Sequence, residues 1–345
     1  MKKTIFVLAA LAALSGCGGG GDGGSSASTS TPQPTPTAPV TQPTTPAAPA
    51  SVAPATGVGA PTYATTDIRY SLFNLVNTYR NQMGVGELRQ DALLDAAAQA
   101  HANYLSLNGV VGGHVEVASN PGFTGAYPRD RATVAGVPAS TWVGETISGT
   151  GSAQACLTVL ANSVYHLQSL TANQESVGIG YNVNCVMDFG TVTGYTGQTV
   201  SQLNAIPVGG GQQMAATAIA YSPLDGETVD KAMAPESPQP APDIAAPGHP
   251  VMVRVRADLT TDVLSVSTFK LVDSSGADVA GRILIAPNAK AASNSGAVTD
   301  SGINAGVAFF LPQVPLGSNK TYTAVFSGAR NGVAISKSWS FKTYF

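Results

Sequence analysis

The chain has 345 residues, with 17 Lys and Arg against 20 Asp and Glu and a formal net charge of −3. Only 11% of the residues are charged and no basic stripe is present, which excludes nucleic acid as an expected partner. Gly, Ala, Ser and Thr take the place of charged residues, as in many exported bacterial proteins.

The N-terminus has the pattern of an export signal over residues 1–16. Lys2 and Lys3 precede an apolar run that is too short to span a bilayer. The run ends in Leu-Ser-Gly-Cys, which resembles the lipobox of bacterial lipoprotein signal peptides. The resemblance implies cleavage before Cys17 and lipid on that residue. Because Gly18 rather than Asp follows, it also implies the outer membrane or cell surface. The alternative is a soluble secreted protein.

Residues 17–65 are predicted to be the lipidated cysteine and a disordered tether. The segment is rich in Gly, Ser, Thr and Pro and has no periodic apolar residues. It therefore cannot bury enough surface to offset the cost of ordering its backbone. Such a tether would hold a folded head away from the membrane.

A folded domain is predicted over residues 66–195. Apolar residues repeat with helical spacing in three stretches, 66–84, 91–109 and 152–170. Short apolar runs predict three strands, 141–147, 177–182 and 185–192. This mixture of helices and strands predicts the α+β class.

The composition and the apolar pattern of the chain then change at two points. Residues 196–216 are polar and Gly-rich and are predicted to be a linker. Residues 217–345 contain no good helix but several alternating or β-branched runs, which is typical of a β-sandwich. Asn331-Gly332 joins the last two runs and is a strong hairpin signal, because both residue types adopt positive φ.

The motif order between residues 66 and 195 resembles the CAP superfamily (cysteine-rich secretory proteins, antigen 5 and pathogenesis-related 1 proteins), in particular its bacterial, SCP-like branch. The motifs are an Asn-x-x-Arg helix, Gly-His-Val-Glu, Val-Gly-Glu-Thr, Ser-x-x-His and a closing Val-Gly-Ile-Gly strand, carried here by Asn77, Arg80, His114, Glu145, His166 and residues 177–180. The resemblance implies an α-β-α sandwich with a cleft. Residues 217–345 resemble bacterial Ig-like domains, so an all-β Ig-like sandwich is expected to follow.

The resemblance places His114, Glu145 and His166 in the cleft as ligand-binding residues. Two imidazoles brought together can bind Zn²⁺ or another divalent cation weakly, with Glu145 as a third ligand or as the base acting on bound water. In a metal-free alternative, Glu145 pairs with one ring in a polar cleft that recognises a ligand. A further alternative is a buried polar cluster that only specifies packing. The second Glu of animal and plant members has no equivalent in the sequence.

Three functions follow from these patterns. The preferred one is a monomeric, surface-anchored module that binds a lipid or small apolar ligand, or an envelope or host surface partner, with a weak cation site at His114 and His166. The alternative is a metal-assisted hydrolase acting on peptides or envelope polymers, with Glu145 as catalytic base. The third is a structural or adhesion protein.

The cysteines support export. The chain has three, and acylation of Cys17 would leave Cys156 and Cys185 as a pair. An oxidising compartment permits a disulfide between them, and two free buried thiols are the alternative.

Four further residues outside the predicted site have expected roles. His101 is expected to be a hydrogen-bonded, half-buried ring on the apolar face of the second helix, and His249 an exposed loop residue. Glu116 is expected either to be solvated or to support His114, and Arg131 to anchor its loop to a carboxylate.

Overall fold

A computed structural model describes residues 50–149, 151–195, 209–259, 261–293 and 295–345. The predicted signal peptide, Cys17 and the first part of the predicted linker lie outside these ranges. Within them, no helix is both long enough and apolar enough to cross a bilayer.

The N-terminal half alternates helices with short strands. Its helices are α1 (Ile68–Met83), α2 (Ala92–Leu107), α3 (Pro128–Val134), α4 (Ala153–Ala161) and α5 (Val164–Leu170). Its strands are β1 (Arg89–Gln90), β2 (Trp142–Ser148), β3 (Ser176–Asn182) and β4 (Asn184–Thr191), in the sheet order β1-β3-β4-β2. The predicted helix over 152–170 is divided in two at Asn162 and Ser163.

Helices cover both faces of this sheet. Val143 and Ile147 of β2 pack toward α2 and α3, because alternate side chains of a strand point to opposite faces. Met187 and Phe189 of β4 belong to the apolar core on the other face, with α1, α4 and α5. The α-β-α sandwich implied by the resemblance is therefore confirmed.

The Asn-x-x-Arg motif of α1 fixes this helix to neighbouring loops. The Asn77 side chain accepts from the Leu88 N–H at 2.7 Å and donates to its carbonyl at 2.9 Å. The buried Arg80 guanidinium donates to the carbonyls of Gly86 and Leu170, each at 2.7 Å. Burial lowers the pKa of Arg80 to about 9, because a charged group is disfavoured away from water.

The Cys156–Cys185 disulfide predicted from the compartment is present and connects α4 to β4. The two residues are 29 positions apart in sequence. In the chain-entropy account, closing a loop of this size stabilises a fold by about 3–4 kcal/mol. The bridge therefore ties one helical layer to the centre of the sheet.

Residues 50–65 lie against the N-terminal half, so the prediction that the disordered tether extends to residue 65 is wrong. The Val52 N–H donates to the Gly211 carbonyl at 2.9 Å, and the Gln212 side chain accepts from the Ala55 N–H at 2.5 Å. Hydrogen bonds and isolated apolar contacts, those of Val58 and Tyr63 with the core, hold the segment. Neither kind of contact leaves a periodic pattern in the sequence. Gly211 and Gln212 are themselves buried, although they belong to the predicted linker.

The C-terminal half consists of strands packed as two sheets. In chain order they are β5 (Ala220–Ser222), β6 (Thr228–Val229), β7 (Val251–Arg254), β8 (Leu264–Asp273), β9 (Gly281–Ile285), β10 (Lys290–Ala291), β11 (Ala297–Thr299), β12 (Val307–Pro312), β13 (Thr321–Arg330) and β14 (Val333–Thr343). The sheet orders are β10-β8-β13-β14-β6 and β11-β9-β12-β7-β5.

A single apolar core fills the space between these two sheets. The ring of Phe269 on β8 lies 6.0 Å from that of Phe310 on β12. Asn331 and Gly332 have φ angles of 49° and 82° at the β13–β14 turn, as the hairpin signal predicts. The all-β prediction for this half is confirmed, and its Ig-like assignment stays a prediction.

The described residues of the two halves are in direct contact. Phe309 of β12 belongs to the same buried apolar cluster as Leu160 of α4. The hydroxyl groups of Tyr79 and Ser222 share a hydrogen bond of 2.7 Å between the halves. Together with residues 50–65, the described residues of the two halves belong to one compact unit.

The expectation of an exposed His249 is wrong. The residue is 3% exposed, and its ring lies 6.3 Å from that of Phe341. The segment before β7 folds inward, where the Gly248 N–H donates to the Pro312 carbonyl at 2.9 Å and the His249 N–H to the Lys231 carbonyl at 3.1 Å. Burial lowers the pKa of His249 to about 3, since the charged ring is disfavoured in an apolar environment.

We expect His249 to make the fold sensitive to mild acid. An unfolded histidine takes up a proton near its ordinary pKa of about 6.5, whereas the folded ring stays neutral to a pH of about 3. The stability that depends on the neutral ring is complete above the higher value and is lost as the pH falls toward the lower one. Between about pH 7 and pH 4, the natural protein should lose about 3 kcal/mol more than His249→Leu. Urea unfolding at both pH values measures this, and equal losses in the two proteins would contradict it.

Candidate functional site

The three residues predicted to form the site border one cleft. His114 lies in the loop after α2, Glu145 in β2 and His166 in α5, and all three line a cavity of about 670 Å³. His114 and Glu145 are in direct contact. His166 stands on a wall that the N-terminal half shares with residues of the C-terminal half, including Glu236.

Glu145 is a buried carboxylate with both oxygens engaged. Its Oε1 is 2.8 Å from Nδ1 of His114, and its Oε2 accepts from the Arg131 guanidinium at 2.7 Å. Burial raises the pKa of Glu145, but the charge of Arg131 and the hydrogen bond to His114 outweigh it and lower the pKa to about 2. The group therefore stays ionised and holds its two partners in place.

Arg131 joins three parts of the site, as its predicted anchoring role requires. It projects from α3 with a fully buried side chain and pairs with Glu145 of β2. Its Nη1 also donates to the His114 carbonyl at 3.1 Å. One guanidinium thus fixes the helix, the strand and the loop that carries the first histidine.

A second buried pair lies beneath this loop. Nδ1 of His101 is 2.8 Å from Glu116 Oε1, and Nε2 of His101 is 2.9 Å from the Gly113 carbonyl. Glu116 also accepts from the Thr124 N–H at 2.7 Å. The expectation that Glu116 is solvated or supports His114 is therefore wrong, because its partner is the ring on α2.

His101 is a positioning residue that the sequence did not identify. It is fully buried rather than half-buried, and it holds the backbone of Gly113, the residue directly before His114. A histidine on an apolar helical face was a visible signal, but the loop that it bonds could not be inferred from spacing.

Asp188 gives the site a second carboxyl group that the sequence analysis missed. It lies directly opposite Glu145 in the β2–β4 pairing and is fully buried. Burial and the negative charge of Glu145 raise the pKa of Asp188 well above its ordinary value. A lone acid inside the apolar strand β4 was the available signal, because acids are rarely buried without a reason.

The C-terminal half supplies the carboxylate beside His166. Glu236 accepts from the N–H groups of Val164 and Tyr165, at 2.7 and 2.9 Å, and so caps the first turn of α5. Its Oε2 is 3.4 Å from Nδ1 of His166, which also lies 3.0 Å from the Ser163 hydroxyl. No sequence pattern connects this Pro-flanked Glu to a helix about seventy residues earlier.

The donor chemistry of the two rings fits a metal ion. Both make these contacts through Nδ1, so Nε2 of His114 and of His166 is the ring nitrogen that could bind an ion. A carboxylate at the opposite nitrogen is usual for metal-bound histidine, because it fixes the ring and its tautomer. Glu145 does not fit as a third ligand, since each oxygen already bonds a partner and the side chain is fully buried. Among the residues that the structure describes, no group of three or more His, Cys, Asp or Glu could hold a metal.

The N-terminal half is thus an α-β-α sandwich with a cleft bordered by two histidines and a carboxylate. Residues 73–195 match the sequence model of the cysteine-rich secretory protein family, CAP. This part of the chain is therefore a CAP domain. Among curated proteins, none matches the chain.

Two solved structures are similar to part of the chain. One is an extracellular protein containing an SCP domain from Bacillus anthracis, with 22% identity over 34% of this chain and 38% of that chain and a TM-score of 0.31. The other is an outer surface protein from Borrelia burgdorferi, with 17% identity over 38% of this chain and 98% of that chain and a TM-score of 0.31. The chain therefore spans well under half of the Bacillus protein.

Removing the Arg131 guanidinium beside Glu145 should destabilise the protein strongly. In Arg131→Met a buried carboxylate loses its partner, so we expect the free energy of unfolding to fall by about 3–5 kcal/mol. Adding Glu145→Gln should recover part of this loss, because the stranded charge disappears. Chemical denaturation measures both effects.

The matched control is Arg69→Met. Arg69 pairs with Asp67 in a partly exposed position, with side chains 29% and 24% exposed. Such pairs contribute about 1 kcal/mol or less. A loss in Arg131→Met no larger than in the control would contradict the central role of the buried pair.

Proposed function

We propose that the protein is an exported binding protein whose cleft holds a small ligand next to a weakly bound divalent cation. The observation that carries this proposal is that His114 and His166 border one cavity, each with a carboxylate at its Nδ1. Two imidazole nitrogens without a third protein ligand suit weak, exchangeable binding, and imidazole favours Zn²⁺ and similar ions.

The proposal places the protein in the cell envelope. The export signal over residues 1–16 and the lipobox-like sequence at Cys17 support a lipid anchor at the outer membrane or cell surface. The Cys156–Cys185 disulfide supports an oxidising compartment, where such bridges persist.

A metal-assisted hydrolase is the weaker proposal. A general base works best with a pKa near the working pH and with an oxygen free to take the proton. The pKa of Glu145 is lowered to about 2, by Arg131 and His114 against the effect of burial, and both of its oxygens are engaged. This carboxylate is better suited to orient His114 than to accept a proton.

The lining of the cavity favours a polar ligand over the lipid predicted from the sequence. Glu236, Asp300 and Asn304 of the C-terminal half border it together with Trp142. A lipid chain would bury these polar groups without giving them partners, which costs free energy for each group. We therefore propose a polar small molecule rather than an apolar one.

The cation site can be tested by equilibrium titration of the metal-free protein with Zn²⁺. We expect saturable binding, weakened about tenfold or more in His114→Ala and in His166→Ala, because each removes one ligand atom. Gln154→Ala, on the exposed face of α4, is the matched control and should bind as the natural protein does. Binding that is absent, or equal in all four proteins, would contradict the proposal.

A further inference from the structure

The C-terminal half forms one wall of the cleft, and this wall is built from groups that both donate and accept hydrogen bonds. We propose that the cleft recognises a neutral, hydroxyl-rich ligand of the size of a mono- or disaccharide, and that this wall selects it. The inference rests on the proposed binding function of the cleft and names its ligand class.

The charge of the lining argues against an anionic ligand. Glu236 and Asp300 border the cavity, and the charge of Glu145 is compensated by Arg131 behind it. In the described part of the chain, no Lys or Arg is among the residues that line the cavity. A fatty acid or phosphate group would therefore meet the carboxylates of Glu236 and Asp300, and no Lys or Arg among the described lining residues would compensate the added charge.

The wall is held rigidly by its own hydrogen bonds. The Tyr165 hydroxyl donates to Asp300 Oδ2 at 2.8 Å, and the Gly302 N–H donates to Asp300 Oδ1 at 2.7 Å. The Gln168 side chain accepts from the Asn304 N–H at 3.0 Å. Each Asp300 oxygen has capacity for another donor, because a carboxylate has about four acceptor sites in total. The acceptors are thus oriented before a ligand arrives, which lowers the cost of binding.

Two polar atoms at the cavity have no partner among the described residues. They are Nδ2 of Asn304, a donor, and Oγ1 of Thr146, whose residue is 1% exposed. A buried polar atom without a partner costs about 1–3 kcal/mol. A ligand or water that bonds these atoms removes that cost, so both mark positions where a polar ligand group is expected.

Hydroxyl groups suit this wall of hydrogen-bond acceptors and donors better than a cationic amine does. An ammonium group donates to Asp300 and Glu236 but cannot accept from Asn304. A hydroxyl donates to the carboxylates and accepts from the amide, so one kind of ligand group serves both sides of the wall. The complementarity therefore selects a neutral polyol over a cation.

Trp142 also borders the cavity, although it is only 4% exposed. Its ring lies across Gly144, where an added Cβ would be 2.2 Å from the ring. The ring therefore shapes this part of the cavity, while the polar groups of the wall provide the contacts that would select the ligand. The cavity volume of about 670 Å³ falls within the usual range for small-molecule sites.

The test uses the full chain in saturation-transfer NMR with named probes. Glucose, N-acetylglucosamine, cellobiose and chitobiose represent the proposed class, sodium octanoate an anionic amphiphile and spermidine a cation. We expect at least one saccharide to bind with an affinity of about 10 mM or tighter. Asn304→Ala should weaken it about tenfold, which corresponds to one lost hydrogen bond at a buried site. The folded state should keep its stability, because the replaced amide has no protein partner to lose.

Two control variants separate ligand contacts from general effects. Asn103→Ala, on the exposed surface of α2, should leave saccharide binding unchanged. Asp300→Asn should weaken it, whereas Asp278→Asn, at a side chain 64% exposed on the C-terminal half, should not. Equal binding in Asn304→Ala, Asp300→Asn and their controls would overturn the inference.

The outcomes also distinguish this inference from the proposed function. Saccharides that fail to bind while Zn²⁺ still binds through His114 and His166 would overturn the ligand class alone. Binding of octanoate or spermidine in place of the saccharides would do the same. Failure of all organic probes and of Zn²⁺ would overturn the binding function as well.

Discussion

The buried contact between Arg131 and Glu145 is the constraint on which the cleft depends. The guanidinium stabilises a carboxylate that burial would otherwise neutralise, and it also bonds the His114 carbonyl. Glu145 in turn fixes the His114 ring through Nδ1. The loop after α2 carries little regular structure of its own, so these contacts and the His101–Gly113 bond determine where the first histidine stands.

Glu236 plays the corresponding part for the second histidine, from outside the CAP domain. It caps α5 and faces His166, so the ring and the helix that carries it are positioned by the C-terminal half. The division of the predicted long helix at Asn162 has the same origin, because Asn162 bonds the backbone of Ala232 and Ala234 across the junction. The site and the contact between the halves are therefore built from the same residues.

Much of the fold could be predicted because its signals are local. Helical and strand periodicity located the longer helices and strands of both halves, but not α3 or short strands such as β1 and β10. The order of the family motifs placed His114, Glu145 and His166 in one cleft, and all three border the same cavity. Contacts between distant segments could not be predicted in this way. Glu236 lies in a Pro-rich stretch without a strand or helix pattern, and its role depends on how two cores meet.

The burial of several residues was also predicted wrongly because it depends on contacts between distant segments. His249 lies between Gly248 and Pro250, and Glu116 follows Gly113 by three positions, in stretches that resemble exposed loops. Only the tertiary packing encloses the two side chains. Residues 50–65 have the composition of a spacer, yet hydrogen bonds between their backbone and Gly211, Gln212 and Glu87 hold them against the N-terminal half. Composition predicts whether a segment can form its own core, but it does not predict whether the segment packs against the core of another part of the chain.

The two sides of the cavity come from parts of the chain that differ in their similarity to a known family. Similarity to the CAP family ends at residue 195, whereas Asp300 and Asn304 come from the sequence beyond it. The same sandwich with a different appendage would present a different surface to the histidines. It would also lose Glu236, so a new appendage would have to supply another cap for α5 and another partner for His166.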